Sequence, residues 1–135
     1  MGDSPDPLTR EAIRTADAPA PGGSYSQAIR WGDLLFVSGQ TPRDLGRGDV
    51  GGSFSAQADQ VYANLRAVAE AAGASIADAL RVTVYLRDLT DFGEADAAFA
   101  RAFPEPRPAR TTVGAQLPVS IEIDAVFGLR SPIVT

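Results

Sequence analysis

The 135-residue sequence contains no cysteine and no histidine, and all twelve of its basic residues are arginine, so lysine is absent too. Each gap removes a class of chemistry. Without cysteine there is no thiolate nucleophile, disulfide or Cys-ligated metal. Without histidine there is no imidazole base or ligand and no serine triad of the usual kind. Without lysine there is neither a side-chain Schiff base nor a Walker-type phosphate lysine. Arginine, carboxylates, hydroxyls, amides and backbone groups remain. Long apolar runs are also missing, since none approaches the roughly twenty residues of a membrane span. Met1 to Arg14 is polar, with Asp3, Pro5, Asp6 and Pro7, and does not read as a signal peptide. The expectation is a cytoplasmic protein with no membrane partner. Seventeen acidic residues against twelve arginines leave a net charge of −5, which disfavours nonspecific nucleic-acid binding, so no nucleic-acid partner is expected.

What is present suits one globular domain: 44% hydrophobic and 21% charged residues can supply a single core. Residues 1–11 read as a flexible extension, 12–130 as the domain and 131–135 as a tail. A short strand is expected at Ala12 to Ala16, then an extended Pro/Gly-rich loop from Asp17 to Ser24. Gln27 to Trp31 and Leu34 to Val37 read as strands joined by a tight turn at Gly32-Asp33. Leu34-Leu35-Phe36-Val37 lacks alternation, as a strand covered on both faces would. The Gly-rich stretch Gly46 to Gly52 contains Arg47-Gly48-Asp49, which reads as a turn rather than an integrin-recognition triplet. No lysine follows its glycines, so it is not a phosphate loop.

From Ser55 the pattern becomes helical. Ala58, Val61, Leu65, Val68 and Ala72 recur on one face, predicting a helix from Ala56 to Ala72, with Ser53 or Ser55 capping its start and Gly73 its end. One short turn is expected within Ser75 to Leu80. Alternation over Arg81 to Leu86 predicts a strand. Asp91 and Glu94 resemble a capping box for a second helix lined by Phe92, Ala95, Phe99 and Ala102 or Phe103, ended by Pro104. Strands at Arg110 to Ala115 and Ser120 to Leu129 complete a β-β-β-α-β-α-β-β order. That order suggests an α+β domain, a mixed sheet with two helices packed on one face.

The last two strands carry polar residues where alternation makes them informative. Arg110, Thr112 and Gly114 share one face of the first; Glu122 and Asp124 share one face of the second, opposite Ile121, Ile123 and Ala125. If the apolar sets face the helices, Arg110 and Glu122 fall together on the other side. Such a pair is either an exposed salt bridge, worth about 0–1 kcal/mol, or an anion site in which the guanidinium forks onto a carboxylate and Glu122 positions a water. Ser38-Gly39-Gln40-Thr41-Pro42 is either a plain turn or a strand end that offers amides to a ligand. Tyr25, in Gly22-Gly23-Ser24-Tyr25, reads as a packing anchor, as do Trp31 and Tyr62.

Several segments are distinctive in combination: Ala18 to Ala28, Leu35-Phe36-Val37-Ser38-Gly39-Gln40-Thr41-Pro42, and the helix Gln57 to Gly73. Further along come Arg81 to Leu89, Asp91-Phe92, Pro108-Ala109-Arg110-Thr111-Thr112-Val113, and Leu117-Pro118 with Ile121-Glu122-Ile123-Asp124-Ala125. In this order, from about Ile13 to Phe127, the chain resembles the Rid family, enamine/imine deaminases of the RidA or YjgF type. The resemblance implies a chorismate-mutase-like subunit, a homotrimer with intersubunit clefts, and hydrolysis of 2-aminoacrylate and related 2-imino acids to 2-oxo acids and ammonia without metal or organic cofactor. By the same resemblance Arg110 grips the substrate carboxylate and Glu122 holds the attacking water. Tyr25, Ser38 and Gly39 line the cleft, and Thr112 and Asp96 border the substrate.

The chain departs from that family's pattern in three places. Thr112 stands where a cysteine is common, and Asp96 where an asparagine is common. The span from Arg110 to Glu122 is a few residues short. Two other readings stay open: a non-catalytic protein that binds or senses 2-oxo acids in the same cleft, and an RNA-acting translation inhibitor, which the acidic charge disfavours.

Overall fold

The computed structural model describes residues 9–46 and 48–129. Most of the expected extension and the tail, together with Arg47 of the Arg-Gly-Asp triplet, lie outside the described residues. The chain forms β1 (Glu11–Ile13), β2 (Ala28–Trp31), β3 (Leu34–Gln40), β4 (Arg43–Asp44), β5 (Gly48–Asp49), α1 (Phe54–Ala71), β6 (Ala79–Leu86), α2 (Phe92–Ala102), β7 (Ala109–Gly114) and β8 (Ile121–Gly128). Among the described residues six strands make one sheet in the order β1-β2-β3-β8-β6-β7, while β4 and β5 form a separate small hairpin whose second strand falls inside the stretch Gly46 to Gly52 read as a Gly-rich loop. Among the described strands only the β6–β7 pair is parallel, and α2 supplies the crossover that a parallel pair requires. The expected α+β order and mixed sheet are therefore both present.

Local signals explain most element boundaries. Gly32, at φ 60°, makes the two-residue turn between Trp31 and Leu34. The Ser53 side chain accepts the Ala56 N–H and caps α1, and Gly73, at φ 84°, follows its end. The capping box expected at Asp91 is not formed, because Asp91 is the last residue of a 3-10 turn (Leu89–Asp91) and makes no side-chain cap. The capping carboxylate is one turn earlier: Asp88 accepts the Thr90 N–H and hydroxyl, and these bonds hold its pKa below the usual carboxylate value.

Both helices lie on one face of the sheet. Val61, Leu65 and Val68 of α1 and Ala98 and Phe99 of α2 close over Leu35, Val82, Ile121, Ile123 and Phe127. The opposite face is uncovered in the single chain. Leu35 and Val37 are buried while Phe36 is 44% exposed, so β3 is covered on one face and not on two as its unbroken apolar run suggested. Trp31, expected to pack, is also 44% exposed, and its pairing with Leu34 places it on the same open face as Phe36.

Two buried amides tie the loops to this framework. The Gln27 side chain accepts the Thr15 N–H and donates to the carbonyls of Thr15, Ala18 and Pro19, fixing the entry loop. Asn64 of α1 donates to the carbonyls of Thr41 and Arg43, at 3.0 and 2.8 Å, and accepts from Gln60. Asn64→Ala should therefore strand two carbonyls near the core and lower stability by about 1–3 kcal/mol in chemical denaturation. An unchanged denaturation midpoint would refute this tie.

Candidate active site

Pairing registers decide where the candidate residues point, because directly opposed residues on neighbouring strands share a face. On β8, Glu122 is opposite Tyr85, and Ile123 is opposite buried Val84; Glu122 and Asp124 thus leave the sheet on the open face. On β7, Arg110 is opposite Val82 and Thr112 opposite Val84, so both leave on the helix face. Arg110 and Glu122 therefore do not share a face, contrary to the alternation argument. The more apolar residues of β7 do not face the helices. Instead Val113 lies open and 38% exposed, because β7 is an edge strand whose phase follows its register with β6.

Arg110 is built into the helix face. Its guanidinium carbon lies 4.7 Å from the Phe99 ring centroid and 5.6 Å from that of Phe92, a cation–π arrangement. Its Nη1 donates to Asp96 Oδ1 at 2.8 Å. Asp96 thus neutralises the residue that the resemblance assigned to the substrate. Thr112 borders the same shallow recess, along with Val84 and Ala95.

Glu122 belongs to a second group. Val37 pairs with Ala125 and Gln40 with Ile123, so β3 carries one extra residue at Ser38–Gly39. This segment is a bulged strand rather than the turn that was one of its two readings. A side chain at Gly39 would run into the Glu122 carboxylate, so the glycine makes room for it. Burial, and secondarily the charge of Asp124, raises the Glu122 pKa above the ordinary carboxylate value. The Asp124 carboxylate accepts the Tyr85 hydroxyl at 2.9 Å, and this bond is the main reason that the Tyr85 pKa is raised.

Tyr25 walls this cleft, which holds about 100 Å³ and is also lined by Gly39, Thr41, Arg43, Asn64 and Glu122. Its hydroxyl accepts the Gly22 N–H at 3.0 Å, and the residue is 53% exposed, so it is a cleft wall more than a packing anchor. Ser38 lies beside Gly39, but its hydroxyl donates to the Ser26 carbonyl at 2.6 Å and its N–H to the Gln27 carbonyl. The structure thus joins Tyr25, Gly39 and Glu122 in one group and Arg110, Thr112 and Asp96 in another. Among the described residues, no group of three Asp or Glu side chains could hold a metal ion.

The family model described as endoribonuclease L-PSP matches residues 15–127. The chain belongs to this family, the Rid family. A RutC family protein of Pyrococcus horikoshii is 46% identical over 121 residues, covering 87% of this chain and 96% of the relative. A protein of Salmonella typhimurium named 2-iminobutanoate/2-iminopropanoate deaminase is 40% identical over 122 residues, covering 86% and 95% respectively. The crystal structure of the Escherichia coli YjgF gene product superposes with a TM-score of 0.84 at 37% identity, covering 89% of this chain and 99% of that one. The Rid fold found here therefore extends to its solved relatives.

Arg43 was missed as a site residue in the sequence, and Asn64 was passed over. Asn64 was legible, since it interrupts the apolar stripe between Val61 and Val68. Nothing local marked Arg43, whose place depends on the hairpin docking against α1.

The raised Glu122 pKa has a stability consequence. The native state binds that proton more tightly than the unfolded chain, so stability from this group is full at acidic pH and lost as pH rises through the native value. Glu122→Gln should thus be more stable than the parent near neutrality, with the gap closing as pH falls into the ordinary carboxylate range. Denaturation curves across pH test this; a gap that widens on acidification would contradict it.

Proposed function

We propose that this Rid protein is a cytoplasmic hydrolase that converts 2-aminoacrylate and related 2-imino acids to 2-oxo acids and ammonia. The observation that carries the reading is Glu122: a half-buried carboxylate with a raised pKa, seated against Gly39 in a cleft beside Tyr25. A carboxylate so placed can accept a proton from water and return it. The deaminase name borne by the Salmonella relative supports the reaction class.

The chemistry demands little of the protein, because an imine carbon is already electrophilic. Water held by Glu122 adds to that carbon; a C–O bond forms, the C=N π electrons move to nitrogen, and the water proton passes to the carboxylate. Glu122 returns that proton to nitrogen, giving a neutral carbinolamine; the C–N bond then breaks as C=O forms, and the hydroxyl proton passes by way of Glu122 to the departing nitrogen, so both water protons leave in the ammonia. Arg110 fixes the substrate carboxylate with the guanidinium N–H groups that Asp96 does not use, while backbone near Thr112 steadies the reacting end. Orientation and a fixed charge are the catalytic resources.

Arg110 and Glu122 leave opposite faces of the sheet, so one small substrate meets both only if a second copy contributes. We therefore assign the site to clefts of a homotrimer, each pairing Glu122 of one subunit with Arg110 of the next. The exposed Trp31, Phe36 and Val113 on the open face fit burial between copies.

With imino acids generated in situ, the protein should accelerate 2-oxo acid release. Arg110→Ala should raise KM about ten- to hundredfold, the cost of a charge-assisted hydrogen bond pair. Glu122→Gln should lower kcat about a hundredfold or more with KM little changed. Gly39→Ala, which pushes Glu122 aside, should lower kcat in the same direction. Full turnover in Glu122→Gln would remove it as the water-positioning group. Saturable 2-oxo acid binding by calorimetry with no imine turnover would favour a non-catalytic sensor instead.

A further inference from the structure

The polar groups around the Glu122 cleft divide sharply into those already satisfied and those with capacity left. Both amide hydrogens of Asn64 go to the Thr41 and Arg43 carbonyls. The Gln27 amide is committed to the entry loop, and the Gln40 amide donates to the Ser38 carbonyl. Groups that retain capacity include the Glu122 carboxylate, the Thr41 hydroxyl, the Tyr25 O–H, whose oxygen accepts from Gly22, and the Arg43 guanidinium, the only permanent cation among the described residues that line this cleft. Among the described residues no carboxylate forms an ion pair with Arg43, in contrast to Arg101, Arg107 and Arg110.

Arg43 is not a loose surface arginine. Its carbonyl is held by Asn64 of α1, its N–H donates to the Thr41 carbonyl, and its strand pairs with β5. The guanidinium shares a corner with the Tyr25 hydroxyl: a methyl group added to Gly22 would sit 3.6 Å from Arg43 Nη1 and 3.8 Å from Tyr25 Oη. That corner joins a permanently charged donor to a phenolic O–H, in the cleft that Glu122 also lines. Such a corner recognises an anion.

We propose that Arg43, with the Tyr25 hydroxyl, binds a second acidic group on the substrate, so that this protein prefers 2-imino acids with a carboxylate side chain over those with an apolar one. The inference rests on the reading of Glu122 as the group that holds water at the imine carbon. The carboxylate next to the imine goes to Arg110, and the side chain of the substrate extends from the reacting carbon toward Tyr25 and Arg43. An uncharged side chain would leave the guanidinium without a partner in the occupied cleft, whereas a carboxylate completes it.

The test compares two imino acids generated in situ by amino-acid oxidases, one from an aspartate or glutamate and one from 2-aminobutanoate, with kcat/KM measured for each. The parent protein should favour the dicarboxylic substrate. In Arg43→Gln the ratio of the two kcat/KM values should fall about tenfold or more, mainly through KM for the dicarboxylic substrate, while Arg43→Lys should keep most of the preference. An unchanged ratio in Arg43→Gln, or a parent that favours the apolar substrate, overturns the proposal. Calorimetry with 2-oxoglutarate and 2-oxobutanoate separates this idea from the deaminase reading. Absence of imine turnover would defeat that reading alone, whereas equal affinities in the parent, or a ratio of affinities insensitive to Arg43→Gln, would defeat the role of Arg43.

Discussion

Alternation along β8 is the constraint on which the rest of the molecule hangs. This strand is hydrogen-bonded on both sides, to β3 and β6, and sends Ile121, Ile123, Ala125 and Phe127 into the core. Each large apolar side chain so buried contributes roughly 1.5–3 kcal/mol. A slip of one residue would exchange this set for Glu122, Asp124 and Val126 and bury two carboxylates without partners. The position of Glu122 is therefore fixed by the oil of the core and not by anything in the cleft. The bulge at Ser38–Gly39 lets β3 carry an extra residue without disturbing that register, and the missing side chain of Gly39 leaves room for the carboxylate.

The arginines divide by environment. Arg110 rests on the faces of Phe92 and Phe99 and is balanced by Asp96, a setting that suits a flat, weakly hydrated cation. Arg43 has a fixed backbone and a guanidinium facing the Glu122 cleft beside Tyr25. Asp96 in turn occupies one of the Arg110 donors, whereas among the described residues no carboxylate forms an ion pair with Arg43.

Much of the fold was legible in the sequence because periodicity reports burial directly. The stripe Ala58, Val61, Leu65 and Val68 and the alternation in Arg81 to Leu86 both correspond to observed elements, and the glycines at 32 and 73 mark real turns. Two of the failures share a cause: the face of Arg110 and the bulge at Gly39 are set by register with a neighbouring strand, which no single stretch of sequence contains. The capping carboxylate is different, because Asp88 bonds Thr90 two residues on and its signal is local. An edge strand such as β7, with mixed polarity on both faces, gives alternation nothing to hold. The unbroken apolar run Leu34 to Val37 suggests cover on both faces, yet its second apolar face is open in the isolated chain.

Asn64 holds the carbonyls on both sides of Pro42, so the backbone at Thr41 and Arg43 is pinned to the long helix. The hairpin that begins there is consequently an appendage hung from a fixed point. The chain returns to the same point at its far end, where the Val50 N–H donates to the Pro42 carbonyl. A loop closed at both ends beside one buried amide is a practical place to vary residues at the cleft mouth while the strand that carries Glu122 is left alone.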